Sequence, residues 1–269
     1  MKLRYDPFQV FKSSKTPAGL YARQKWLHER TAAIFKRDFQ ETVTGLLSSQ
    51  AGDGSWDHSV LKTVHRLFGL HLTVRTQSEP INRALDWLLD QTLAIFPRRR
   101  IVSGEHLTRG ALRGLPFTRG SSSFFLTGAT LFLASIFGRE NDSTILEIYR
   151  RLDHINIRNQ GRWCGWSCSN NILRAFVVHP RYSRSKAAVL AVKALAGVQQ
   201  QSGEWLREIP FCQTVNALAH LDTRQANVQL ERAFKRLYAT QGHDGTWGRT
   251  DREWNTFLII HALKNKKEL

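Results

Sequence analysis

The sequence predicts an all-α domain assembled from repeated helix pairs, and three observations point to it. Gly-x-Trp recurs at Gly161-Arg162-Trp163, Gly203-Glu204-Trp205 and Gly245-Thr246-Trp247, with 42 residues between successive copies. A period of that length is one supersecondary unit, which buries its apolar face only by stacking on its neighbours. Apolar residues on either side of these turns fall at helical spacing, and alternating strand-like runs are nearly absent.

The repeat is interrupted toward the start of the chain. An earlier copy, Gly54-Ser55-Trp56, stands 107 residues ahead of Gly161, which is about two and a half periods. Three copies share more than the tripeptide: LLSSQAGDGSW ends at Trp56, LAGVQQQSGEW at Trp205 and LYATQGHDGTW at Trp247. Each reads as a helix end, a Gln, a Gly turn and a Trp. The Gly supplies a positive φ after the helix. The Trp packs back on the helix while its N–H finds an acceptor. The Gln carboxamide bridges backbone groups across the turn.

Helices precede and follow the turns. Ser183 to Gln200 is apolar almost all round in its middle, which marks a buried helix. Val228 to Tyr238 places Leu230, Ala233, Phe234 and Leu237 on one face. His58 to Leu72 and Trp254 to Leu263 follow the first and last turns. Ser78-Glu79-Pro80 opens a helix running through Leu88, with the proline in its first turn, and Asn141-Asp142-Ser143 opens one from Ile145 to Leu152. About ten to twelve helices are expected in all. Phe124 to Phe137 is a 14-residue apolar run, short of the ~20 residues that span a bilayer, so it reads as a core helix. Residues 97–122 break the pattern. They hold Arg98, Arg99, Arg100, Arg109, Arg113 and Arg119 with Glu105 as the single acid, and they read as a long loop.

The chain has 39 Lys and Arg against 22 Asp and Glu, a net charge of +17. That charge favours anionic partners, whether diphosphates, acidic lipid surfaces or nucleic acid, and it also suits a basic solvated surface. With 42% apolar residues the chain is not expected to be disordered. Cys164, Cys168 and Cys212 are few and odd in number, and the first residues have no apolar signal core, so a cytoplasmic protein is expected, with attachment at an anionic membrane surface compatible with the charge. No phosphate-binding loop, nucleophile elbow or zinc-protease motif occurs, and nothing resembles a nucleic-acid-binding module.

Gln50 to Trp56, Gln199 to Trp205 and Gln241 to Trp247 keep one Gln-to-Gly spacing and together resemble the "QW" repeats of squalene–hopene and oxidosqualene cyclases. The repeat of protein prenyltransferase β-subunits is similar. The resemblance covers most of residues 31–269 and is strongest from 161 onward. It implies an α/α toroid of about six helix pairs in inner and outer rings, with residues 1–30 as an arm packed on it. It also implies an isoprenoid or other lipid-like substrate, held in a central apolar cavity and cyclised or transferred there. Eight Trp and 15 Phe are enough to line such a cavity.

In that fold the helix after each Gly-x-Trp turn is an inner one, and its first turn faces one mouth of the cavity. The candidate catalytic residues are therefore Asp57, His58, Asp251 and Glu253; the candidate substrate-binding residues are Cys168, Asn171, Cys212, Thr214, Asn255, Arg109 and Arg113. A cyclase acid is a carboxyl kept protonated by burial or by a like-charged neighbour. Acids at a helix start also serve as caps. The arginines suit bidentate capture of a diphosphate. No metal or other cofactor is expected. A zinc site at Cys164, Cys168 and Cys212, completed by His58 or His106, is the alternative, on loose spacing. His220 and His261 read as structural. The chain departs from the families it resembles. The Asp-x-Asp-Asp acid motif and the Asp-Asp-x-x-Asp magnesium motif are absent, and Asn255-Thr256 stands where the prenyltransferases place a zinc-binding His. Two other classes stay open: a non-catalytic toroid holding a lipid or protein partner, and a basic binder of membrane or nucleic acid.

Overall fold

Four helices begin on a side-chain cap that the sequence supplies. In the computed structural model, which describes residues 3–95 and 107–269, Thr16 accepts from Gly19 N ahead of α1 (Pro17–Lys25), with Pro17 at the first helical position. Ser59 accepts from Lys62 N ahead of α3 (Val60–Thr73), Ser185 from Ala188 N ahead of α8 (Lys186–Ala196), and Thr223 from Ala226 N ahead of α10 (Arg224–Ala239). Each cap satisfies one of the amide donors that a helix start leaves free. The remaining helices are α2 (Ala33–Leu47), α4 (Glu79–Ile95), α5 (Ser122–Ile136), α6 (Ser143–Arg158), α7 (Trp166–Val178), α9 (Phe211–Leu218) and α11 (Arg252–Asn265). Among the described residues there is no strand beyond two isolated bridges in the turn at Gln50–Ser59. No described helix is long and apolar enough to cross a membrane.

The chain is an all-α toroid. Six inner helices pack in sequence, α1 on α3, then α5, α7, α9 and α11, and α11 returns to α1 to close the ring. Helices α2, α4, α6, α8 and α10 lie outside them. The two rings differ in composition for a physical reason. The inner α7 is buried from Cys168 to Val177, whereas the outer α10 buries Ala226, Leu230, Ala233, Phe234 and Leu237 and exposes Glu231, Arg232 and Lys235. Helix α1 belongs to the inner ring, so part of the segment expected as an arm is a wall of the toroid.

The four Gly-x-Trp turns share one geometry. Gly54, Gly161, Gly203 and Gly245 have φ of 92°, 99°, 86° and 78°. A Cβ at these positions would sit 2.5, 2.5, 2.4 and 2.1 Å from the carbonyl oxygens of Arg83, Leu190, Arg232 and Asp6. The first three oxygens belong to the next outer helix, so the turn must let that helix approach to backbone contact. Three of the tryptophans donate Nε1–H to a carbonyl of the preceding outer helix or its cap: Trp56 to Ser48 at 2.8 Å, Trp163 to Leu152 at 2.9 Å and Trp247 to Leu237 at 2.9 Å. Trp205 instead donates to the Gln229 carboxamide at 3.3 Å. The glutamines behave alike as well. Gln50 Nε2 donates to Gly54 O and Pro80 O, and Gln199 Nε2 to Gly203 O and Gln229 O, which ties each turn to the outer helix that follows.

At the last turn the N-terminal segment stands where an outer helix stands at the others. Gln241 Nε2 donates to Gly245 O and to Tyr5 O, both at 3.0 Å, while its Oε1 accepts from Arg4 N and Tyr5 N. Asp6 O is the oxygen against Gly245. Residues 4–6 thus complete the outer ring on hydrogen bonds that the other copies direct to a helix.

Candidate ligand-binding chamber

The ends of the inner helices define two faces, and the sequence-selected residues lie on the face formed by the helix starts. That face is covered by residues 107–121. Leu112, Leu115 and Phe117 are buried there. Trp254 Nε1 donates to Leu115 O at 3.1 Å, and His65 Nε2 donates to Ala111 O at 2.7 Å. Asn171 holds the same segment with both ends of its carboxamide, accepting from Thr118 N at 2.7 Å and donating to Thr118 O at 2.9 Å. Cys168 Sγ accepts from Ser121 N at 3.3 Å.

Arg113, Asp251 and Glu253 line a hollow of 540 Å³ on this face, together with Thr16, His65 and Trp254. Arg109, Arg113, Cys212, Asp251 and Asn255 line an adjoining groove of 460 Å³. Asp57, His58, Cys168, Asn171 and Thr214 line neither. Most of these groups already hold partners. Arg113 pairs with Asp251, and Asp57 pairs with Lys62, which holds its carboxyl below the usual range. His58 Nδ1 lies 2.9 Å from Asp53 Oδ2. Glu253 accepts from Ser14 Oγ at 2.8 Å and from Thr16 Oγ1, and Asn255 Nδ2 donates to Thr250 O at 2.9 Å. Thr214 Oγ1 donates to Pro210 O and accepts from Asn170 Nδ2. Burial pushes the Cys212 thiol up to about 12, so it is a thiol at neutral pH. No three metal-ligating side chains stand together among the described residues. Arg98, Arg99, Arg100 and His106 lie outside the described residues.

The other face opens into the centre of the ring. A chamber of 370 Å³ is walled by Phe68, Leu72, Phe132, Ile136, Trp254 and Phe257, with Pro116 of the covering segment at its inner end. Its aromatic rings contact one another: Trp254 stacks on Phe257 at 5.3 Å and meets Phe68 edge-on at 5.8 Å, and Phe68 lies 6.1 Å from Phe132. These contacts fix the wall's shape beyond what burial alone would.

At the C-terminal ends of the inner helices the lining changes character. His71 and Arg75 come from α3 and the turn after it, Arg174 from α7, Asn216 and His220 from α9 and its end, and His261 from α11. Arg174 is 1% exposed, and it donates through Nη1 to Asn216 Oδ1 at 2.6 Å and through Nη2 to Gln213 O at 2.7 Å. Asn216 in turn donates to Leu258 O at 2.9 Å, and its Nδ2 stands 3.4 Å from His261 Nδ1. Arg75 has a left-handed backbone, φ 61°, and lays its guanidinium 4.2 Å from the centre of the Tyr21 ring. No carboxylate lines the chamber among the described residues.

The charge of this lining shows in its histidines. Burial, with Arg75 and His261 beside it, pulls His71 down to about 3. Burial, Arg174 and Arg75 pull His261 down to about 4. His220 is exposed to the open chamber yet set deep in the ring. Desolvation and the facing His261, Arg174, His71 and Lys266 hold it well below its ordinary value. All three are neutral in the fold, whereas in the unfolded chain they bind protons near pH 6.5. The unfolded state therefore binds more protons below that value, and stability falls as pH drops from about 6.5 toward 4. The melting temperature is expected to fall between pH 7.5 and pH 5, above the range in which the paired carboxylates titrate. The fall should shrink in a His71→Gln, His220→Gln, His261→Gln variant. Equal melting temperatures at pH 7.5 and pH 5 in the wild type would contradict this assignment.

The repeat itself carries the signal for this site in the sequence. Arg174, Asn216 and Leu258 stand 42 residues apart, so one register position on three consecutive inner helices forms the hydrogen-bonded chain from Arg174 to Leu258 O. A charged residue inside the apolar run from Ile172 to Val178 was the visible mark.

Comparison with known proteins gives the fold. No family model and no curated protein sequence matches the chain. Among solved structures, a protein from Actinoplanes superposes with a TM-score of 0.59 at 16% identity, covering 96% of this chain and 90% of that one. The type II terpene cyclase MstE from Scytonema, in complex with its substrate geranylgeranyl dihydroxybenzoate, superposes with a TM-score of 0.60 at 12% identity, covering 95% of this chain and 87% of that one. At these identities the likeness is one of architecture: the chain has the helical toroid of a terpene cyclase.

Proposed function

We propose that the toroid binds a small molecule with an apolar, isoprenoid-like body in its central chamber. The observation that carries this reading is the 370 Å³ space walled by Phe68, Phe132, Trp254 and Phe257 at the centre of the ring. A void of this kind forgoes the contacts its lining would otherwise make, and an apolar guest restores them. Concave, mostly apolar sites with a few convergent polar groups are the usual form of small-molecule sites. The Scytonema neighbour holds a geranylgeranyl chain joined to a benzoate, and a ring of the same architecture supports a guest of similar kind here.

The lining favours binding over cation-initiated cyclisation. Starting a cation on an alkene needs a carboxyl kept protonated, and none of the described residues that line the chamber carries one. It presents two guanidiniums instead. A carbocation ~6 Å from one of them would be raised by about 3 kcal/mol at an effective dielectric constant of 20. Aromatic walls alone offset this only in part.

Titration of tryptophan fluorescence with farnesol and geranylgeraniol tests the reading. Saturable binding is expected, and Val178→Trp, which fills the chamber mouth away from the polar network, should weaken it at least about tenfold. Unchanged affinity in this variant, or no binding of either alcohol to the wild type, would remove the support for an apolar guest.

A further inference from the structure

We infer that Arg174, Arg75 and His71 form a subsite for the anionic head, a carboxylate or a phosphate, of the molecule held in the chamber. The inference rests on the chamber being the ligand site, and it adds which chemical class of ligand fits there.

Three buried side-chain nitrogens of residues that line this end of the chamber have no hydrogen-bond partner: Arg174 Nε, Arg75 Nε and His71 Nδ1. Buried polar groups in folded proteins are nearly always paired, so three orphans lining one cavity mark a missing acceptor. Arg174 makes the case most strongly. Its two hydrogen bonds go to neutral oxygens, and no acidic side chain among the described residues pairs with it. A buried cation without a counter-charge is costly, and folds ordinarily avoid it.

The C-terminal ends of the inner helices place partial negative charge near this end. Their carbonyls do not accept from these three nitrogens, so the dipoles leave the donors free. Arg75 adds a second mark. It takes the left-handed position that closes α3, with its N–H donating to Leu70 O at 3.2 Å. From there its guanidinium stacks on Tyr21, beside His71 one helical turn earlier. The fork of a guanidinium matches two oxygens of a carboxylate or phosphate. With the aromatic wall beyond, the complementary ligand is an amphiphile, apolar along its length and singly headed by an anion.

The test compares farnesoic acid, farnesyl phosphate and farnesol on the wild type, Arg174→Met, Arg174→Lys and Arg75→Met by calorimetry. One of the two anions is expected to bind the wild type at least about tenfold more tightly than the alcohol, as a charge-assisted hydrogen bond allows, and the stronger one identifies the head. The preference should collapse in Arg174→Met, recover in part in Arg174→Lys, and weaken in Arg75→Met. Equal binding of acid, phosphate and alcohol to the wild type overturns the inference while leaving the apolar chamber in place. So does a preference that survives both methionine variants. If none of the three binds, the chamber reading fails, and benzoate and inorganic phosphate judge the subsite alone. Arg174-dependent binding of either supports it, and binding of neither to the wild type overturns it. Circular dichroism checks each variant. Should Arg174→Met not fold, Arg75→Met and Arg174→Lys carry the same comparison.

Discussion

Arg174→Met is expected to leave the free protein about as stable as the wild type or more so, while the preference for an anionic ligand is lost. Burial pulls Arg174 from 12.5 down to about 9, with no charge partner to oppose it. Holding the guanidinium charged at neutral pH therefore costs on the order of 5 kcal/mol. Methionine fills similar volume without charge. Against this stands the loss of two hydrogen bonds, which leaves Asn216 Oδ1 and Gln213 O without their donor, at about 1–3 kcal/mol each. About 5 kcal/mol of relief stands against about 2–6 kcal/mol of loss, so a change between a fall of about 1 and a rise of about 3 kcal/mol is expected, and denaturant melts at pH 7 measure it. A residue that served only the fold would behave oppositely, and a loss of more than about 3 kcal/mol would assign Arg174 to the structure rather than to a ligand. Destabilised groups kept in place are a mark of functional sites.

Trp247→Ala is expected to destabilise the fold by about 3–5 kcal/mol. Trp247 is 3% exposed and is held at both ends: its Nε1 donates to Leu237 O on α10, and its backbone N donates to Thr256 Oγ1 on α11 at 3.2 Å. Truncation leaves a cavity between the two rings. It also loosens the turn whose Gln241 and Gly245 hold residues 4–6 in the outer ring. At roughly 2–4 °C per kcal/mol for a chain of this size, the melting temperature should fall by roughly 10 °C. The N-terminal segment should also become the first site of limited proteolysis. Val228→Ala, on the outer face of α10 where Val228 is 41% exposed, is the matched control and should stay within about 0.5 kcal/mol of the wild type. An unchanged melting temperature in Trp247→Ala would remove the packing role assigned to these turns.

The turns were legible in the sequence because their chemistry is local. Gln, Gly and Trp act within seven residues of one another, and the hydrogen bonds of Gln50, Gln199 and Gln241 across each turn follow from that spacing. Ring closure was not legible, because it joins residues 236 positions apart. Nothing near Tyr5 marks it as the acceptor for Gln241, and Thr16-Pro17, a helix start in its own right, did not mark α1 as an inner helix.

The chamber was hidden for a related reason. Each inner helix gives it only one to four residues, and His71, Arg174, His220 and His261 form a set only once the ring is closed. The acids at the helix starts stand out in the sequence because they punctuate helices. In the fold Asp57, Asp251 and Glu253 are engaged with Lys62, Arg113, and Ser14 with Thr16. Of the substrate-binding candidates, Arg109, Arg113, Cys212 and Asn255 line the groove on that opposite face, beside the catalytic candidate Asp251, and a ligand held by them remains a proposal. It is separate from the chamber and requires its own test.

The proposed mode of binding, an apolar guest seated by its anionic head at Arg174, is open to one direct measurement. A crystal soaked with 4-bromobenzoate locates the bromine by its anomalous scattering. The account predicts the bromine against Phe68, Phe132 and Phe257, with the carboxylate within about 2.7–3.2 Å of Arg174 Nε. A bromine found only in the groove beside Arg113 and Asp251 or on the outer surface, with the chamber filled by water alone, would contradict it.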